Sequence, residues 1–213
     1  GTLSLVNMTI DSRSDTRCIY VSEGTLNADD IVCTGGYNKT DGISICNAGS
    51  MTLENTAIRN AAVVDINYRG VIYNSGSLTI KEGVANDPSA YSYAGTVFNT
   101  GIFNLEGGSL TGLAGLNNHQ YGAAVTSSGT FLMSGGSIRD SNGNSAVLIT
   151  GEASAFRMTG GTINGNNATS VLGSKFNIAM SGGGVLVRSG GSFTMDGGVI
   201  SGNISYMGAG VGV

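Results

Sequence analysis

Apolar and polar residues alternate along one short segment that recurs through the whole chain. Each copy begins with an anchor residue, usually glycine, and carries apolar residues two, four and nine positions later, with mostly Ser, Thr, Asn, Asp or Arg between them. The anchors are Gly1, Gly24, Gly49, Gly76, Gly101, Gly129, Ser154 and Gly191, at intervals of 23 to 37 residues. Alternation with a period of two predicts strands with one buried face.

Aligned on the anchors, the copies form three apolar columns. Position two holds Leu3, Leu26, Met51, Leu78, Phe103, Phe131, Phe156 and Phe193. Position four holds Leu5, Ala28, Leu53, Ile80, Leu105, Met133, Met158 and Met195. Position nine holds Ile10, Cys33, Ile58, Ala85, Leu110, Ile138, Ile163 and Ile200. The pattern predicts a right-handed parallel β-helix of about eight coils with three short strands per coil, as one domain over residues 1–213. A two-sheet sandwich, the rival fold, would not need the same columns in every unit.

A further strand precedes each anchor. Four residues before it stand Tyr20, Ile45, Ile72, Val97, Val125, Thr150 and Val187, and in the seventh copy we expect Val147 and Ile149 to take the inward sites one residue early. Two residues before it stand Ser22, Asn47, Asn74, Asn99 and Ser127. Asparagines repeated coil on coil favour a ladder of side-chain amides. The alternative is a simple turn asparagine.

The composition narrows the function classes. Glycine accounts for 36 residues, charged residues for only 11%, and the net charge is −4 without a basic run. We therefore expect no nucleic-acid partner, and no apolar stretch is long enough to predict membrane insertion. The three cysteines, Cys18, Cys33 and Cys46, lack a zinc-binding spacing. We interpret them as small buried hydrophobes, and a disulfide between two of them remains the alternative.

We identify no set of residues that forms a catalytic or metal site. Asp30, of the pair Asp29-Asp30, falls where other copies carry turn residues, and Asp11, Asp15 and Asp41 lie in separate loops. His119, the only histidine, lies in a polar loop and is interpreted as solvated. The sequence therefore predicts a protein that is not an enzyme and that uses no cofactor and no metal.

Length variation falls in one phase of the repeat, between position nine and the next inward strand. Loops in this phase leave one edge of the solenoid, and such insertions often mark its binding side. The candidate ligand-binding residues on this tyrosine edge are Tyr37, Tyr68, Tyr91, Tyr93, His119 and Tyr121. Tyrosine can stack on sugars or anchor a protein partner. The alternative is that these rings only cover the flank of the solenoid.

The run from Gly182 to Val187, followed by the run from Gly191 to Asn203, resembles the right-handed β-helix repeats of bacterial surface proteins of the pectin-lyase-like superfamily, among them polymorphic outer membrane proteins and adhesin-like proteins. Copies five to eight share the Gly-Gly pair, whereas copies one to four keep only the columns. The resemblance implies an extracellular or cell-surface adhesin or scaffold with a host glycan or surface protein as partner. A carbohydrate-active enzyme and a rigid spacer without ligand are the alternatives. The apolar first and last coils lead us to expect a fragment of a longer protein that self-associates end to end.

Overall fold

The computed structural model describes residues 1–12, 16–36, 42–59, 70–83, 85–86, 95–112, 122–169 and 182–213. These residues contain 22 short strands and no helix. The strands form three sides of the solenoid, which we call walls A, B and C. In every coil the chain passes first through wall A, then through wall C and then through wall B. The three walls enclose one continuous apolar core.

The strands of walls A and B stack in chain order. Wall A contains β1 (Thr2–Ser12), β3 (Thr25–Gly35), β5 (Ser50–Glu54), β8 (Ser77–Ile80), β11 (Ile102–Leu105), β14 (Thr130–Met133), β17 (Ala155–Met158) and β20 (Ser192–Met195). Wall B contains β2 (Ile19–Val21), β4 (Ile45–Asn47), β7 (Ile72–Asn74), β10 (Val97–Asn99), β13 (Val125–Ser127), β16 (Val147–Thr150), β19 (Val185–Arg188) and β22 (Val211–Gly212).

Wall C begins with the second halves of β1 and β3, which turn the corner from wall A without a break. It continues with β6 (Ala57–Arg59), β9 (Ala85–Asn86), β12 (Ser109–Leu110), β15 (Ser137–Arg139), β18 (Thr162–Asn164) and β21 (Val199–Ser201). Strands β6 and β9 therefore join the ten-stranded sheet of wall A, while the last four strands form a sheet of their own.

In walls A and B each strand pairs in parallel with its equivalent in the next coil, and wall C pairs in parallel as far as β9 and again from β12 onward, which confirms the predicted parallel β-solenoid. The number of coils with three separate short strands is about six, fewer than the eight predicted. The physical reason lies in the first two coils, where β1 and β3 are eleven-residue strands that serve two walls each.

The predicted core columns are confirmed by the pairing register. Position two aligns from Leu3 to Phe193 and position four from Leu5 to Met195. The rings of Phe103, Phe131, Phe156 and Phe193 stack with centroids 4.8, 4.4 and 4.8 Å apart. Cys33 is fully buried and pairs with Ile10 and Ile58, as expected for a thiol in a core column.

Three column assignments differ from the prediction. Ile19, and not Tyr20, pairs with Ile45, and the Tyr20 side chain is 64% exposed. Val185 takes the inward site that we assigned to Val187, which occupies the next inward column. Asn86 rather than Ala85 pairs with Ile58. The first two errors arise because the turn between walls B and A varies in length, so that counting back from the anchor shifts the register.

The expected slip in the seventh copy is confirmed. Val147 pairs with Val125, Ile149 pairs with Ser127, and both Val147 and Ile149 are fully buried.

The predicted asparagine ladder forms inside the corner between walls B and A. Asn47 Nδ2 donates to Asn74 Oδ1 at 2.8 Å, Asn74 Nδ2 to Asn99 Oδ1 at 2.7 Å, and Asn99 Nδ2 to Ser127 Oγ at 3.0 Å. All four side chains are fully buried. Val21 occupies the same column before Asn47, so Asn47 Oδ1 is left without a hydrogen-bond partner among the described residues. Ser22, which we placed in this column, lies outside it.

A second polar ladder follows wall C, and the sequence analysis missed it. Asn166 Nδ2 donates to Asn203 Oδ1 at 2.8 Å and to the Ile138 carbonyl oxygen at 3.1 Å. The Ser141 amide donates to Asn166 Oδ1 at 3.0 Å. The recurrence of Ser141, Asn166 and Asn203 twelve positions after three successive anchors is the signal that could have revealed it.

One residue per coil adopts a left-handed backbone at the corner between walls A and C. In the last four coils it is the second glycine of the pair, Gly108, Gly136, Gly161 or Gly198, with φ from 72° to 89°, and in the fourth coil it is Gly83, with φ 75°. In the first three coils it is Asn7, Asp30 or Asn55, with φ from 46° to 53°. Asn and Asp tolerate this region better than other residues with a Cβ. The interpretation of Asp30 as a turn residue is consistent with this geometry.

Candidate functional site

The residues predicted to bind a ligand on the tyrosine edge lie outside the described residues. This applies to Tyr37, Tyr68, Tyr91, Tyr93, His119 and Tyr121 alike. Their role therefore stays a prediction. The described residues offer a different candidate surface, on the outside of wall A.

The outer face of wall A carries two columns of mostly polar side chains that alternate with the buried ones. The central coils place Asn104, Leu132 and Arg157 in one column, which pairs strand by strand in register. Glu106, Ser134 and Thr159 stand two residues further along the chain, immediately after the same strands, and Asp196 holds the equivalent position after β20. Successive strands in a sheet lie about 4.8 Å apart, so each column is a regular row of side chains.

A groove of about 310 Å³ opens between these columns, and we call it the wall A groove. Its lining consists of Asn104, Glu106, Leu132, Met133, Ser134, Arg157 and Thr159. It offers one carboxylate, one guanidinium, one amide and two hydroxyls beside the apolar surface of Leu132, which is 40% exposed. Such a mixture of polar groups around an apolar platform suits a sugar or an extended peptide.

The charges of the groove are arranged by contacts between neighbouring coils. Arg157 Nε donates to Asp196 Oδ2 at 2.7 Å, and both side chains are about half exposed. An exposed ion pair of this kind contributes about 0–1 kcal/mol to stability, so Arg157 can change partner at little cost. Asn104 Nδ2 donates to Thr79 Oγ1 at 3.3 Å, while Asn104 Oδ1 has no partner among the described residues.

The sequence analysis missed the wall A groove because it followed the apolar columns and treated the residues between them as solvent-exposed background. The available signal was the outward position three after each anchor, where a leucine and an arginine replace the Ser, Thr and Asn of other copies. Two long side chains in a column of otherwise short polar residues indicate that the outer surface of the wall is uneven at this point.

Within the part of the chain that the structure describes, no group of three or more His, Cys, Asp or Glu side chains is placed to hold a metal ion. A search of the same residues for a helix long and apolar enough to cross a membrane finds none. None of the three cysteines, all of which belong to the described part of the chain, forms a disulfide.

Comparison with known proteins gives no relative from which a role could be transferred. No family model, no curated protein and no solved structure matches the chain. The strand order, the parallel register and the internal ladders define the protein as an all-β parallel solenoid.

Proposed function

We propose that the chain is a non-enzymatic adhesin or scaffold module that presents a lateral surface to a glycan or protein ligand outside the cell. The observation that carries the proposal is the wall A groove, an open surface built from side chains that a continuous core holds in rows. A binder that reads an extended ligand gains affinity when its contacts are already in place. The resemblance of copies five to eight to adhesin-like β-helix repeats supports the same assignment.

The groove favours an extended ligand lying across several coils. Its contacts come from β11, β14 and β17, so a ligand that fills it spans three neighbouring strands of wall A. Glu106 and Arg157 provide opposite charges, and Leu132 lies on the strand between them. A saccharide with hydroxyl groups on its edges and an apolar ring face matches these chemical groups.

The test compares the groove with the predicted tyrosine edge on a glycan array and in cell attachment. We expect Glu106→Ala with Arg157→Ala to weaken binding about 10-fold or more, because two charged hydrogen-bonding groups are lost. Arg139→Ala is the matched control, since Arg139 is also half exposed and ion-paired with an aspartate, Asp140, but lies on wall C. The control should bind like the parent.

The remaining outcomes distinguish the alternatives. Loss of binding in the double variant Tyr91→Ala, Tyr93→Ala, with the groove variant unaffected, would move the site to the tyrosine edge. Release of reducing ends from acidic polysaccharides would contradict the non-enzymatic assignment. No attachment to any glycan or cell would leave a spacer as the better description, which the uninterrupted ladders and core also suit.

A further inference from the structure

Two of the three free thiols lie against each other near the N-terminal end of the solenoid. Cys18 precedes β2, at the corner where the chain passes from wall C to wall B. Its thiol donates to the carbonyl oxygen of Thr34 at 3.6 Å and to that of Ile10 at 3.8 Å. Ile10 is the strand partner of Cys33, and Thr34 follows Cys33 in β3. The Cys18 thiol therefore sits beside Cys33.

Two of the equivalent corner positions, Ser44 and Thr96, carry a hydroxyl instead of a thiol. Ser44 Oγ donates to the Gly35 carbonyl oxygen at 2.8 Å, and Thr96 Oγ1 donates to the Thr111 carbonyl oxygen at 2.7 Å. A hydroxyl is the stronger donor, so a cysteine is not needed for this structural hydrogen bond. Cys18 thus differs from Ser44 and Thr96 in chemistry rather than in structural role.

The two sulfurs differ in their exposure to solvent. Cys33 is fully buried, whereas Cys18 is only half-buried. Their mutual contact lowers the pKa of Cys18 from the ordinary thiol value and, together with burial, raises the pKa of Cys33. A small disulfide from solvent therefore reaches Cys18 first, and Cys33 lies behind it.

We propose that Cys18 and Cys33 form a thiol–disulfide exchange site for low-molecular-weight disulfides, with Cys18 as the attacking thiolate and Cys33 as the resolving thiol. In the first step Cys18 Sγ attacks one sulfur of the small disulfide, whose S–S bond breaks and releases one thiolate. Cys33 then loses its proton to that thiolate and attacks Cys18 Sγ in the mixed disulfide. A second small thiolate leaves and takes a proton from water. The protein pair is oxidised by two electrons, and the small disulfide is reduced to two thiols.

The third cysteine is placed differently. Cys46 pairs in wall B with Tyr20 and Tyr73, in the column whose side chains point away from the core. The inward neighbours of Cys46, Ile45 and Asn47, are fully buried and separate its sulfur from the core position of Cys33. Cys46 is therefore a suitable internal control for the reactivity of a thiol outside the pair.

The experiment incubates the folded 213-residue chain with oxidised glutathione, blocks remaining thiols with iodoacetamide and maps the peptides by mass spectrometry. The expected product is a Cys18–Cys33 cross-linked peptide, with the same yield in Cys46→Ser. The cross-link closes a short loop and should raise the Tm by roughly 5–10 °C, an increase that dithiothreitol reverses. A cross-link that includes Cys46, or complete alkylation of both Cys18 and Cys33 after incubation, would overturn the proposal.

Two variants separate the roles of the pair. Cys33→Ala should stop the reaction at a glutathione adduct on Cys18, because the resolving thiol is lost. Cys18→Ser should leave Cys33 unmodified in the folded protein, because Cys33 is fully buried. An adduct on Cys33 in Cys18→Ser, or no adduct on Cys18 in Cys33→Ala, would contradict the assigned roles. The cross-link mapping on the unchanged chain remains decisive if either variant fails to fold.

Discussion

The first three coils and the last four coils follow the same backbone path with different residues. At the corner between walls A and C, the last four coils use Gly108, Gly136, Gly161 and Gly198, and the first three use Asn7, Asp30 and Asn55. The glycines approach the preceding coil closely, and a Cβ on Gly136 would lie 2.6 Å from the Gly107 carbonyl oxygen. The asparagines and the aspartate supply the same positive φ with a side chain attached.

This difference shows that the Gly-Gly pair is one of two ways to make the corner. Where glycine is used, the corner interrupts the strand, and walls A and C belong to separate strands such as β14 and β15. At Asn7 and Asp30 the strands β1 and β3 continue through the corner, whereas at Asn55 the corner separates β5 from β6. Repeat copies that have lost a sequence motif can therefore retain the coil, because the backbone conformation and the inward columns are what the fold requires.

The largest expected effect tests the stacked core of the later coils. Phe156→Asp buries an unpaired charge between Phe131 and Phe193 and should cost about 4 kcal/mol or more, enough to prevent stable folding. Leu132→Asp is the matched control, because Leu132 lies on the neighbouring strand β14 and faces outward. Urea unfolding followed by circular dichroism measures both. Equal stability of Phe156→Asp and the parent would contradict the register of wall A.

The next effect compares the two ladders. Asn74→Ala removes the central rung of the first ladder and leaves Asn99 Oδ1 buried without its donor, so we expect a loss of about 2–3 kcal/mol. Asn166→Ala in the second ladder should cost a similar amount, because Asn166 also bonds to a neighbouring asparagine and a backbone carbonyl. A loss below 0.5 kcal/mol, measured by urea unfolding, would show that the ladder is not stabilising.

A third prediction concerns the left-handed corner itself. Gly136→Ala should destabilise the protein by about 1–3 kcal/mol, because it combines a strained φ with the close approach to Gly107. Asn55→Ala should cost about 1 kcal/mol, and Asn55→Gly should be close to neutral. The order of the three melting temperatures is the measurement. A melting temperature for Asn55→Ala as high as that for Asn55→Gly would show that the corner in the early coils does not need a left-handed residue.

The smallest expected effect is a gain in stability at the open end of the first ladder. Val21→Asn places an amide where it can donate to Asn47 Oδ1, and satisfying that buried acceptor should stabilise the protein by up to about 1 kcal/mol after the loss of the valine side chain. Ile149→Asn, at the other end of the same column, is the control and should destabilise it, because Ile149 is fully buried in the apolar core. Thermal unfolding of both variants decides whether the ladder can be extended in one direction only.

Most of the fold could be predicted from the inward columns, because an inward side chain in a stacked coil has the same neighbours in every repeat. Phe103 to Phe193, Asn47 to Asn99 and Cys33 follow directly from that rule. The columns of Tyr20 and Val187 could not be predicted by this rule. The turn before the anchor varies in length, so a position counted back from the anchor can fall in the wrong column.

The candidate site was less accessible to sequence analysis. The wall A groove depends on which outward side chains of different coils lie side by side, so Glu106 and Arg157 carry no local motif that identifies them. The contact between Cys18 and Cys33 likewise arises because the corner before β2 points its side chain toward wall C. Both sites form because the register of the coils brings residues from different coils side by side. No short segment of the sequence contains either site.

The first ladder also has a consequence for how the solenoid opens and closes. Each amide from Asn47 to Asn99 donates toward the next coil, so the hydrogen bonds run in one direction and polarise one another. Breaking one rung weakens its neighbours, and the strands β4, β7, β10 and β13 that carry the ladder should therefore exchange their amide protons as one cooperative unit. A repeat protein in which each coil contacts only its neighbours would otherwise fray coil by coil from its ends. The buried amides thus couple four coils, so that these coils should open together in one local unfolding event.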